Sequence, residues 1–231
     1  MNRTANDVRV LRNNGDGTFQ APMAFAVGEA PMALVAGDVD ADGKVDLVTA
    51  NQGSGDVSVL RGNGDGTFQA ARSQALRSPP EVLVLDDFDR DGKKDLVAGP
   101  AGDGAVGSVL LFLHGNGDGT FTERSITASE THILHALVAA DVDGDGVLDL
   151  VGARGKGIGS GHPRDPHYSA RGNNDVAVWQ GNGDGSFRTV RAYVTGQDPH
   201  AVSTGDFDGD GRLDLVAANA VSHTLSLLRA R

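Results

Sequence analysis

The chain has 231 residues, no cysteine, 33 glycines, 8 prolines, few aromatics and a formal net charge of −11. The missing cysteine excludes a disulfide framework and thiol chemistry, the absence of a basic patch argues against nucleic-acid binding, and no apolar run is long enough to insert in a membrane. The many glycines and few aromatics suit short strands joined by tight turns, at a length that one all-β domain can reach.

The first predicted element is a strand at 8–11 (Val-Arg-Val-Leu), followed by a glycine-rich turn, Asn14-Gly15-Asp16-Gly17-Thr18-Phe19. Small apolar residues at 33–36 predict a buried strand, which runs into an acidic loop at 38–46. Residues 47–50 leave that loop as a second strand, and 56–61 alternate as a third. Asn63-Gly64-Asp65-Gly66 is a hairpin turn that needs positive φ, and Thr67–Ala70 predicts the start of a fourth strand. Both motifs then recur. The Asn-Gly-Asp-Gly turns stand at 14–19, 63–68, 116–121 and 182–187, and their phenylalanines are 49, 53 and 66 residues apart. The acidic loops start at Asp38, Asp87, Asp141 and Asp206, spaced by 49, 54 and 65. The last predicted strand is at 224–228.

Two motifs on one stretchable period define a structural repeat of about fifty residues. Four antiparallel strands per repeat describe a β-propeller blade, so the expected fold is an all-β propeller of about four blades. Residues 1–231 are read as one propeller region, divided near 1–30 (partial), 31–79, 80–132, 133–198 and 199–231 (partial). The predicted strands number seventeen, one more than a closed four-bladed ring takes. A piece of a larger propeller, a compact four-bladed ring and self-assembly through open sheet edges all remain compatible with that count.

Each acidic loop places aspartate at positions one, three, five and nine and glycine at six. The sets are Asp38, Asp40, Asp42 and Asp46; Asp87, Asp89, Asp91 and Asp95; Asp141, Asp143, Asp145 and Asp149; and Asp206, Asp208, Asp210 and Asp214. Calcium takes six to eight oxygens, and a curling loop presents every second side chain inward. Position seven (Lys44, Lys93, Val147, Arg212) is expected to offer its backbone carbonyl. Sixteen of the 31 acidic residues lie in these loops, and four bound Ca²⁺ would bring the charge from −11 to −3. Four calcium sites are therefore expected. A helical calcium module uses a twelve-residue loop between helices. Here the closing aspartate is at nine, Leu-Val follows it in each full motif, and the flanking segments are too short for helices.

The acidic loop joined to the Asn-Gly-Asp-Gly-Thr-Phe turn resembles the FG-GAP/VCBS repeats of integrin α-subunit-type propellers over nearly the whole chain. The resemblance implies the propeller fold and not an activity, because such repeats occur in adhesion receptors, lectins, lyases and dehydratases.

Antiparallel connectivity puts the acidic loops and the Asn-Gly-Asp-Gly turns on one face, and leaves the opposite face for recognition. Six residues before each acidic loop stand Met32, Glu81, His135 and His200. The third full repeat expands at 154–171 into a segment carrying His162, Arg164, His167 and Tyr168, with Thr131 and His132 just before His135. His135, His200, His162, Arg164, His167 and Tyr168 are the candidate ligand-binding residues. The spacing of His132, His135, His162 and His167 is not diagnostic of a metal site. No nucleophile constellation occurs, no carboxylate outside the acidic loops has an obvious partner in the sequence, and Trp179 lies on a predicted core strand.

The expected function is a non-catalytic, calcium-stabilised module that recognises a glycan or a protein. A competing expectation is the propeller of a carbohydrate-active lyase or dehydratase, with His135, His162, His167, Tyr168 and Arg164 suited to proton abstraction. A third is a structural spacer of a larger surface protein. Extracellular modules bind calcium weakly, at about 10⁻⁴–10⁻³ M, so an extracellular or cell-surface location is expected. Residues 1–7 themselves lack the apolar core of a signal peptide.

Overall fold

The structure is a computed structural model that describes residues 1–100, 109–129, 133–155, 174–188 and 190–230. Among the described residues there are seventeen strands and no helix, hence no helix long and apolar enough to cross a membrane. The strands are β1 (Asp7–Val10), β2 (Met23–Ala26), β3 (Pro31–Gly37), β4 (Asp46–Asn51), β5 (Asp56–Leu60), β6 (Arg72–Ala75), β7 (Pro80–Asp86), β8 (Asp95–Pro100) and β9 (Val109–Gly115). They continue as β10 (Phe121–Ser129), β11 (Ile133–Ala140), β12 (Asp149–Gly155), β13 (Asp175–Trp179), β14 (Arg191–Val194), β15 (Pro199–Gly205), β16 (Asp214–Asn219) and β17 (Thr224–Leu228).

These strands form five sheets in sequence order: β1–β2, β3–β6, β7–β10, β11–β14 and β15–β17. Every strand pairs with its chain neighbour, as short turns dictate for antiparallel strands. The second strand of each full sheet is buried along its whole length, β4, β8 and β12 alike. This is why these segments read as unbroken apolar runs and do not alternate. Their outer neighbours β6 and β14 are mostly exposed.

The described residues cluster into two compact units. One comprises Met1–Asp87, Asp91–Gly99 and Leu111–Arg124, the other Phe88–Arg90, Pro100–Leu110 and Ser125–Arg231. In the first, Val8, Leu47 and Leu60 join β1 to the second sheet, and Phe25 meets Phe68 edge-on at 5.4 Å. In the second, Val151, Val176 and Val178 pack against Val202, Leu215 and Ala217, fastening β12 and β13 to the last sheet.

Three details differ from expectation. The fourth strand of the β3–β6 sheet starts at Arg72, not Thr67; Phe68 makes only an isolated bridge to Gly62. The turn consumes the intervening chain because Asp65 accepts both the backbone N–H (2.9 Å) and the hydroxyl (2.6 Å) of Thr67. Arg154 is not the start of a surface loop but a buried residue of β12. Its guanidinium donates from Nε (2.8 Å) and Nη2 (3.1 Å) to Asp175, a carboxylate outside the acidic loops with a partner after all.

Candidate functional site

All four acidic loops close on one hydrogen-bond scaffold. The first carboxylate turns back on its own loop: Asp38 Oδ2 accepts the N–H of Gly43 at 2.8 Å, and Oδ1 that of Asp42 at 3.2 Å. Asp87 receives Gly92 and Asp91, Asp141 receives Gly146 and Asp145, and Asp206 receives Gly211 and Asp210 in the same way. The curl needs positive φ at position six, filled by glycine throughout, and also at position four. That second requirement is met by Gly144 and Gly209 in two loops but by Ala41 (59°) and Arg90 (63°) in the others.

The ninth carboxylate is buried and staples the loop to the turn that follows strand three of its sheet. Asp46 accepts the N–H groups of Val39 (3.0 Å) and Gly62 (2.7 Å), and Asp149 those of Val142 (3.0 Å) and Gly181 (2.9 Å). Asp214 accepts from Phe207 and Ala230, and Asp95 from Gly115. The acidic loop and the Asn-Gly-Asp-Gly turn of one blade thus share one end of the sheet. A Cβ on Gly62, Gly115 or Gly181 would collide with the carbonyl of Val45, Lys94 or Leu148, so close backbone approach dictates glycine there.

Position five accepts the backbone N–H of position seven in every loop, at 2.8–2.9 Å. In three loops the side chain at seven adds an ion pair, Lys44 to Asp42, Lys93 to Asp91 and Arg212 to Asp210. The Lys44 ammonium and Arg212 guanidinium hold Asp42 and Asp210 below the ordinary carboxyl value. For Asp91 the backbone N–H of Lys93 is the larger cause. Val147 supplies no such cation.

In the first loop, position three carries an open valence. Asp40 has its side chain nine-tenths buried, and its Oδ1 accepts no hydrogen bond. Burial, and then the charges of Asp46 and Asp42, push its carboxyl upward. Asp149 is likewise raised, first by burial. Asp143 takes the Gln180 amide at 2.6 Å, Asp40 lies 3.2 Å from Arg61 Nε, and Asp208 lies 3.8 Å from Arg229 Nε. Asp89 stands in the short 88–90 tip of its loop, within the second unit. In the first unit His114 Nδ1 lies 3.4 Å from Asp95 and Nε2 lies 3.9 Å from Asp91. Arg61, His114, Gln180 and Arg229 escaped the sequence reading. Their signal was positional, because each stands two residues before the asparagine of the turn or at the matching end of the last strand.

The opposite end of the sheets holds the histidines. The register slips by one residue at Met32, His135 and His200, making each a bulge residue of its strand. Bulges re-aim side chains. His135 and His200 stack with ring centroids 3.9 Å apart, and both address the buried Asp198: His200 Nε2 lies 2.9 Å from Oδ2 and His135 Nε2 lies 3.3 Å from Oδ1. Asp198 was not anticipated either. His162, Arg164, His167 and Tyr168 lie outside the described residues, as does His132. Trp179 is 1% exposed and offers no face for a sugar.

The FG-GAP-like repeat family matches residues 2–49, 38–86, 87–152 and 168–217. No curated protein matches the chain. Among solved structures, two crystal structures of BBS1N in complex with ARL6DN are similar. The one soaked with mercury gives a TM-score of 0.58 at 16% identity and covers 98% of this chain and 59% of that one. The one soaked with lead gives 0.57 at 18%, covering 96% and 54%. The chain thus spans less than two thirds of the chains it resembles, and at these identities the likeness shows the fold, an all-β arrangement of propeller blades. With family matches running through four repeats, this chain belongs to the FG-GAP-like repeat family.

Proposed function

We propose that the chain is a calcium-built propeller module, working outside the cell, that binds a protein partner without catalysing a reaction. The observation that carries the calcium half is Asp40 Oδ1. Although Arg61 Nε lies 3.2 Å from its Oδ2, Asp40 keeps a second, buried oxygen without a donor and crowded by Asp42 and Asp46, a position that a further cation would answer. The donor set is all oxygen, as a hard cation prefers. Asp38, Asp40, Asp42 and Asp46 would hold the ion in the first loop, with the matching residues in the other three, and a bound Ca²⁺ would supply charge neutralisation. The chain's own part is to shape the loop: positions one and nine fix the backbone, and position three presents the oxygen. Ions that bind only the folded form stabilise it by about 2.7 kcal/mol per site at a hundredfold excess over Kd.

The recognition half is supported by the similar structures, in both of which BBS1N is in complex with ARL6DN. Glycan recognition is the alternative outcome of the same test. The calcium half is checked by thermal melts in calcium and in EGTA with stoichiometry on the same sample. The expected result is a large rise with about four ions per chain, reduced in Asp40→Ala, Asp143→Ala and Asp208→Ala. Equal melts in both buffers would overturn it. Screening the calcium-loaded chain on protein and glycan arrays then tests recognition; silence on both removes that half.

A further inference from the structure

His135, Asp198 and His200 bring together two imidazoles and a carboxylate at the end of the sheets remote from the acidic loops. We propose that they form a transition-metal site, filled by Zn²⁺ or an ion of similar preference, with one coordination position left for water or an exogenous ligand. The three donor atoms lie within 4.8 Å of one another, with His200 Nε2 and His135 Nε2 at 2.9 and 3.3 Å from the two Asp198 oxygens. Bonds of about 2.0–2.1 Å in a tetrahedron place neighbouring donors about 3.3 Å apart, the scale of the two histidine–carboxylate separations. Two histidines and a carboxylate are a ligand set typical of three-ligand zinc sites, whereas calcium disfavours imidazole.

A second, independent observation is that Asp198 is 3% exposed and its Oδ1 accepts no hydrogen bond. The repeat itself supplies a control. Ala30 occupies the position equivalent to Asp198, with φ 49° against 57°. Its N–H donates to Asn6 Oδ1 as that of Asp198 donates to Asn174 Oδ1. The carbonyls of Ala30 and Asp198 receive the N–H groups of Gln52 and Ala220 in turn. The turn therefore forms with alanine, and the carboxylate of Asp198 is an addition that the backbone does not need. Met32 stands where His200 does. Gly155 stands where two other sheets have Gln52 and Ala220, and a Cβ there would lie 2.7 Å from His135 Nε2 and strike Asp198 Oδ1. Four departures from the repeat thus meet at one point: two added imidazoles, one added carboxylate and one side chain removed to make room.

The rings stack with 21° between their planes, and an ion lying in the plane of both requires one to turn. His200, with 43% of its side chain exposed, has the room to do so. No acidic-loop residue takes part, so this site stands or falls independently of the calcium proposal.

The test is a Co²⁺ titration of tag-free protein saturated with calcium, read by visible absorption, with Zn²⁺ as competitor. One equivalent of Co²⁺ should give the intense bands of a tetrahedral ion, displaced by Zn²⁺. Asp198→Ala and the double variant Asp198→Ala/His200→Met reproduce the residues at 30 and 32 without leaving a buried carboxylate unpaired, so they should melt like the parent without cobalt and lose the bands. No tetrahedral absorption in the parent, or bands that survive in both variants, would overturn the proposal.

Discussion

At Ala41 a methyl-bearing residue sits at φ 59°, in the left-handed region where its loop counterparts Gly144 and Gly209 are at ease. The strain of a Cβ there is partly offset by the lower chain entropy of unfolded alanine. Ala41→Gly is expected to raise stability by about 0.5–1 kcal/mol, seen as a higher denaturant midpoint at unchanged slope. Gly43→Ala, at φ 80°, should do the reverse. The turn aspartates make a second prediction. Asp16, Asp65, Asp118 and Asp184 are held below the ordinary value of 3.8, first by the hydroxyl of Thr18, Thr67, Thr120 or Ser186 and then by the same residue's N–H. A carboxyl whose pKa falls on folding stabilises the fold above its unfolded value, and that contribution disappears as the pH drops through the folded value. The Asp16→Asn/Asp65→Asn double variant should lose less melting temperature than the parent between pH ~5 and ~2. Parallel curves would show that the turns owe nothing to ionised aspartate. The glycines and aspartates of both motifs were legible because each does one local job. Asp198 was not, because its meaning depends on a histidine 63 residues earlier that the sheets bring beside it.

The four acidic loops are one element written with different neighbours, and those neighbours grade them. Loop 38–46 faces Lys44 and Arg61, loop 87–95 has Lys93 and His114, and loop 206–214 has Arg212 and a looser Arg229. In loop 141–149 the same two places hold Val147 and Gln180, and the Arg90 guanidinium that reaches this loop donates to the Gly146 carbonyl, not to an aspartate. A cation already beside a carboxylate competes with an incoming ion. Loop 141–149 should therefore bind calcium most tightly, resolved as the first step of a calorimetric or Tb³⁺-luminescence titration. Gln180→Arg should weaken that step several-fold and Arg61→Gln should tighten the first loop; an unchanged titration in both variants would remove the electrostatic ranking. The strand pattern of each blade was readable from apolar runs and turn glycines. Which side chain reaches across from strand three to the loop was not, since the contact joins residues about twenty to forty apart. The fourth strands were misplaced for a related reason: the Asp65–Thr67 clasp is a feature of side-chain geometry, and alternation does not encode it.

Across the molecule, burial is unevenly shared, and the last sheet shows the consequence. β17 pairs with β16 on one side, and no described strand pairs with its other side. Leu225 is 74% exposed and Leu227 46%, while Leu228 packs into the core of the second unit. An edge strand of this kind presents unpaired backbone groups together with apolar side chains, which is a template for another strand. Self-association of this chain through β17 is the expected outcome wherever nothing else covers that edge. Sedimentation velocity over a range of concentrations should show a rising average mass, in calcium so that unfolded chains do not contribute. Leu225→Lys and Leu227→Lys place charge on the edge without touching the acidic loops or Leu228, and should return the chain to a monomer with an unaltered melt. A monomer at every concentration in the parent would mean that the edge is too short or too twisted to recruit a strand. Association that survives both lysines would place the contact elsewhere on the surface.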